Sequence, residues 1–187
     1  MTFLHDQRRQ TSRIWRRVSL PVALVAALLA LIVTGGALGY RINLTPSEPL
    51  GIWRIQMPEG PYKIGDLVFV CPPPTPTMRE AFDRGYLRSG LCPGGYAPLI
   101  KTIVAVSSQR IEIDRLVSID GLALPHSAPA QLDGRGRSLR RFSGGTVPTG
   151  YVFLHSGFIG SFDSRYFGPV PASGVLGLAK AVLTYAP

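Results

Sequence analysis

Ser47 stands between Pro46 and Pro49, in the stretch Asn43-Leu-Thr-Pro-Ser-Glu-Pro-Leu-Gly-Ile-Trp53. Proline fixes φ and pushes the residue before it towards extended conformations, so this serine is presented on a short, stiff, non-helical segment. Such a serine can be a nucleophile, but its hydroxyl does little without a base; equally, Pro and Ser are ordinary turn residues. Lys101 interrupts the apolar, β-branched run Pro98-Leu-Ile-Lys-Thr-Ile-Val-Ala-Val106. A lysine in such a run either blunts an exposed sheet edge or is buried, and burial lowers its pKa and leaves a neutral amine able to accept a proton. Asp163 and Arg165 lie two residues apart in a Gly/Ser-rich loop, where they can pair and pin the chain or form a simple charged turn.

The elements that position these residues read mostly as strands. Ile52–Ile55 and Asp66–Val70 alternate as strands around a Pro58–Pro61 turn, and Pro98–Val106 and Val147–Leu154 read as buried strands. Asp120-Gly121 marks a hairpin between Leu116–Ile119 and Leu122–Leu124. Thr77-Met-Arg-Glu80 has capping-box spacing and predicts a short helix over Met78–Tyr86, followed by a loop over Gly90–Pro98. Residues 125–145, with Arg135, Arg137, Arg140 and Arg141, read as a long, exposed, partly mobile loop. The three histidines read as structural or surface residues.

The formal charge of +9 is spread along the chain instead of lying on one stripe with aromatic platforms, which argues against a nucleic-acid partner. Arg8, Arg9, Arg13, Arg16 and Arg17 precede an uncharged run of 23 residues, Val18 to Tyr40. That length suits a membrane-spanning helix with its basic flank in the cytoplasm, and a cleaved signal peptide is the alternative. The expected organisation is a basic cytoplasmic segment (1–17), an anchor (18–40) and an extracytoplasmic domain (41–187) carrying an insertion at about 71–97. An extended chain spans at most about 3.6 Å per residue, which keeps Ser47 within about 25 Å of the membrane. An even cysteine count in an oxidising compartment predicts a Cys71–Cys92 disulfide across the Pro-rich insertion; two unrelated thiols are the alternative.

Taken together, Thr45-Pro-Ser47 with Pro49 and Gly51, the Lys101 run, and Pro148-Thr-Gly-Tyr with Ser161-Phe-Asp-Ser-Arg-Tyr-Phe-Gly-Pro-Val170 resemble the Ser/Lys signal peptidases. The resemblance is to the conjugative-transfer (TraF-type) branch most of all, because His155–Gly160 replaces the Gly-Asp-Asn run of the general enzymes. It implies a mostly β, antiparallel catalytic domain behind one N-terminal transmembrane helix, in the inner membrane and facing the periplasm. It implies Ser47 as nucleophile, Lys101 as general base, and Asp163 as support held by Arg165. Thr45 falls at the oxyanion-assisting position and Ser161 at the lysine-orienting one. The implied substrate is a pilin precursor, cut near the membrane and in some members closed head to tail, with type IV secretion components as possible further partners. No cofactor or metal is implied. A housekeeping signal peptidase acting on preproteins, a non-catalytic subunit of a secretion or pilus machine, and a self-cleaving regulator are the alternatives.

Overall fold

In a computed structural model, residues 21–186 are described. The chain divides into two compact units between Tyr40 and Arg41. In the first, residues 21–37 form helix α1, and a turn at Leu38–Gly39 ends it before strand β1 (Tyr40–Asn43). The expected anchor reached Tyr40; Gly35, Gly36 and Gly39 lower helix propensity at this end, and the helix stops at residue 37. The expected basic segment 1–17 and anchor residues 18–20 lie outside the described residues. Among the described residues no helix is long and apolar enough to cross a membrane.

The second unit is built on antiparallel strands. A seven-stranded sheet has the order β1-β2-β12-β3-β5-β10-β11, and a smaller one the order β8-β7-β6-β9. Strand β2 is Leu50–Gln56, β3 Leu67–Val70, β5 Leu99–Val106, β10 Tyr151–His155, β11 Val170–Pro171 and β12 Val175–Tyr185. The small sheet holds β6 (Arg110–Ile113), β7 (Val117–Ile119), β8 (Leu122–Ala123) and β9 (Gly145–Thr146). The predicted hairpin is present between β7 and β8, with Asp120 and Gly121 both at positive φ (50° and 82°), as its tight turn needs.

Strand β5 lies between β3 and β10, so it is interior to the sheet and the edge reading of Lys101 falls away. Val68, Val70, Ile103, Val152 and Leu154 form one core cluster, while Trp53, Phe69, Ile100 and Ala179 form another. Strand β12, which the sequence patterns above did not single out, joins β2 to β3. At Gly51 the backbone has φ +128°, and a Cβ there would sit 2.2 Å from the Leu183 carbonyl oxygen. Glycine is therefore required where the serine segment enters β2 against β12.

The excursion between β3 and β5 differs from its sequence reading. Helix α2 spans Pro76–Asp83 and its N-cap is Thr75, not Thr77; the Thr75 hydroxyl accepts a hydrogen bond from the Met78 N–H. Pro76 forces Thr75 to be extended and is preorganised for the first helical position, so it sets the start. The predicted loop contains strand β4 (Ser89–Cys92), which pairs back on Tyr96. Cys71 and Cys92 form a disulfide with a Cα–Cα distance of 5.4 Å, closing the excursion at its base. The 125–145 segment is tied down, not loose: Arg137 pairs with Asp133, Tyr86 donates to Asp133, and Arg84 donates to the Ser138 carbonyl.

The cysteines are 21 residues apart. Loop-closure entropy for that separation is worth about 3 kcal/mol. A Cys71→Ser/Cys92→Ser variant is expected to lose about 2–4 kcal/mol in urea denaturation. Hydrogen exchange should rise over 71–97 more than in β5; equal loosening of both would contradict the closed-excursion picture.

Candidate active site

The Ser47 segment is held by a residue the sequence reading passed over. Asn43, 8% exposed, donates from Nδ2 to the carbonyls of Thr45, Glu48 and Pro49 at 2.9, 2.9 and 3.0 Å. Its Oδ1 accepts from the Thr45 N–H at 3.1 Å and from the Thr45 hydroxyl at 2.7 Å. One amide side chain therefore fixes the whole turn between β1 and β2. The Thr45 hydroxyl proton is engaged with Asn43, so it would have to leave that bond to donate elsewhere. Trp53 Nε1 adds a bond to the Pro49 carbonyl at 2.9 Å.

The turn is fastened across the chain to the end of β10. Ser156 Oγ donates to the Ser47 carbonyl at 2.6 Å, and the Ser156 N–H donates to Asp163 Oδ2 at 3.2 Å. Ser156 follows His155, whose register partner on β5 is Thr102, next to Lys101. The same fastening brings Glu48 into the electrostatic field of Lys101 and His155. Ser47, Glu48, Lys101, His155, Ser156 and Asp163 thus come together from three separate parts of the sequence.

Lys101 is 3% exposed and faces Val68 across β3. Burial lowers its pKa from 10.5 to about 8, against the opposing pull of Asp163 and Glu48, with the nearby Arg165 adding to the decrease. Near neutral pH a substantial minority of this amine is neutral, which is the form able to take a proton from a serine.

Asp163 and Arg165 form a fully buried pair, with Arg165 Nε and Nη2 donating to Oδ1 and Oδ2 at 2.8 and 2.9 Å. Asp163 also caps the one-turn helix α3 (Ser164–Phe167) by accepting from the Arg165 N–H. Arg165 further donates to the carbonyls of Ala128 and Ser161, both at 3.0 Å, so the pair pins two loops at once. Burial alone pushes the Asp163 carboxyl up, yet the contacts of His155 and Arg165 outweigh it and hold the pKa below the usual value.

His155 is buried, with Nδ1 at 3.4 Å from Asp163 Oδ2; this is a polar contact and not a well-directed hydrogen bond. Ser161 is buried, but its hydroxyl has no hydrogen-bond partner, so the bond to the lysine implied by the resemblance is not made here. A cavity of about 180 Å³ beside Ser161 is lined by Tyr86, Leu132, Ile159, Phe162 and Tyr166, and includes neither Ser47 nor Lys101. Asn43 had a readable signal, an Asx-type turn two residues before Thr45. Ser156 had none, since its partner lies 109 residues away.

Comparison with known proteins agrees with this geometry. The family described as signal peptidase, peptidase S26, matches residues 12–184. The probable conjugal transfer protein TraF of Sinorhizobium fredii is 59% identical over 180 residues, covering 95% of this chain and 96% of that protein. A plasmid transfer protein TraF of Escherichia coli is 34% identical over 179 residues, covering 93% and 99%. A solved signal peptidase I from Enterococcus faecalis V583 aligns with a TM-score of 0.36 and 18% identity, over 66% of this chain and 98% of that one.

Proposed function

Because this chain belongs to the signal peptidase family S26, we propose that it is a membrane-anchored serine endopeptidase that processes a pilin precursor for conjugative transfer. The observation that carries the reading is the burial of Lys101 in an interior strand, with its pKa brought down to about 8, beside the fastened Ser47 turn. Neutral Lys101 takes the Ser47 proton as Oγ attacks the scissile carbonyl. Its ammonium then returns that proton to the leaving amine, which departs and leaves an ester on Ser47. Water, or an amine held against the ester, attacks next; its proton passes through Lys101 to Ser47 Oγ. The outcome is a cut chain or a closed one. The Asp163–Arg165 pair holds Ser156 and, through it, the Ser47 carbonyl.

The kinship to conjugal transfer proteins supports a dedicated pilin substrate over a housekeeping role, and conjugative type IV secretion components as neighbours. The Cys71–Cys92 disulfide supports a domain on the periplasmic side of the inner membrane. Residues 18–37 are proposed as the anchor, extending the apolar helix seen from residue 21. In cells, a Ser47→Ala chain should leave the precursor unprocessed in the membrane, and the wild-type chain should restore the mature product. Intact mass then distinguishes closure from hydrolysis, because a cyclic product weighs one water less and has no free N-terminus. Continued processing by Ser47→Ala would defeat the reading.

The pH dependence follows from the sign of the Lys101 shift. Below the folded value the amine is protonated and cannot act as base, so kcat/KM should climb about tenfold per pH unit and level off above about 8. An ascending limb near the unperturbed lysine value of 10.5 would show that the base is exposed or is another group.

A further inference from the structure

Asp163 is electrostatically satisfied: both oxygens are engaged by Arg165, and Oδ2 also by the Ser156 N–H. Glu48 is not. It is half-buried, directly follows Ser47, and forms no ion pair among the described residues. The groups facing it are Lys101 from β5 and His155 from the end of β10, with the paired Asp163 and Arg165 behind them. Its backbone is fixed by Asn43, so the side chain is held beside the reacting serine. Taken alone, this carboxylate opposes catalysis, because a negative charge near Lys101 helps the amine keep its proton. A positive charge brought by the substrate would give Glu48 a partner and remove that brake.

We infer that the Glu48 carboxylate is a subsite for a positively charged side chain of the peptide substrate, placed within a residue of the scissile bond. The inference rests on the Ser47/Lys101 reading. It makes the substrate part of the acid–base machinery: a bound ammonium or guanidinium offsets the Glu48 charge and favours neutral Lys101. Desolvation of Glu48 in its half-buried place, which raises its pKa above the ordinary value, is relieved by the same partner. A charge pair near a protein surface gains less than its bare Coulomb energy, so the expected preference is about tenfold.

The test uses quenched peptides built on the junction the wild-type chain cuts, with Lys, Gln or Glu at the position just before or just after the cut. The two positions separate an acyl-side cation from a leaving-side one. In one arm the wild type should prefer Lys over Gln by about tenfold in kcat/KM, with the Lys peptide moving the ascending pH limb to lower pH. In Glu48→Gln the Lys/Gln ratio should collapse to near one, and both peptides should share one pH limb, itself shifted to lower pH. Glu48→Arg should favour the Glu peptide. A wild-type Lys/Gln ratio near one in both arms overturns the inference, and that measurement needs no variant. So does an unchanged ratio in Glu48→Gln. Ser47→Ala separates the two levels: if it still cuts any peptide, the serine reading itself fails, whereas an inactive Ser47→Ala with charge-blind wild type removes only the role of Glu48.

Discussion

Lys101→Arg should abolish cleavage, lowering kcat/KM by about 10⁴-fold or more, because arginine cannot give up its proton within a protein. Lys101→Met should be equally inactive and yet more stable than the wild type. The lysine pays for its position: a shift from 10.5 to about 8 in a side chain 3% exposed corresponds to about 3 kcal/mol of disfavoured charge at neutral pH. The sign fixes the window. The folded pKa is depressed, so the penalty is full below about 8 and fades as pH rises through the unfolded value of 10.5. Urea denaturation at pH 7 and at pH 10.5 should therefore show a gain for Lys101→Met that shrinks at the higher pH. An active Lys101→Arg, or a Met variant that is destabilised at both pH values, would mean that this lysine is neither the base nor held in an uncharged environment.

Breaking the Asp163–Arg165 pair is the second large effect expected. Both side chains are fully buried, so removing one leaves the other as an uncompensated charge, at a cost of about 3–5 kcal/mol. Arg165→Ala should be the more damaging, because it also releases the carbonyls of Ala128 and Ser161. Asp163→Asn keeps the shape and isolates the charge. It removes a negative neighbour of Lys101, so the ascending limb should move to lower pH while the maximal rate falls through loss of the Ser156 and Ser47 fastening. Chemical denaturation measures the first effect and a pH–rate profile the second. Wild-type stability in both variants would contradict a structural role for the pair.

What was legible in the sequence followed from local chemistry. A lysine inside a β-branched run, a serine fenced by prolines and an Asp/Arg pair in a glycine-rich loop are each conspicuous within a few residues, and the structure brings all three together. The Asp120-Gly121 hairpin was readable for the same reason. Less was legible where the partner is distant. Strand β12 is an ordinary apolar segment until β2 and β3 close on it from either side. Strand β4 hid behind Gly90 and Pro93, because its pairing to Tyr96 and the disulfide at Cys92 hold a segment of weak local propensity. The helix start was misplaced by two residues because Thr77-x-x-Glu80 mimics a capping box, while Pro76 actually sets the first turn. In the site, Ser156 reaches Ser47 over 109 residues, and the significance of Glu48 depends on Arg165 having already neutralised Asp163.

The central claim is an acyl-enzyme on Ser47 formed with Lys101 as base, and acid-quenched intact mass during turnover of a junction peptide tests it most directly. The wild type should carry a transient adduct equal to the acyl fragment, mapping to the peptide that contains Ser47, and Lys101→Arg should carry none. Steady cleavage with no adduct at any quench time, or an adduct on a residue other than Ser47, would contradict the account.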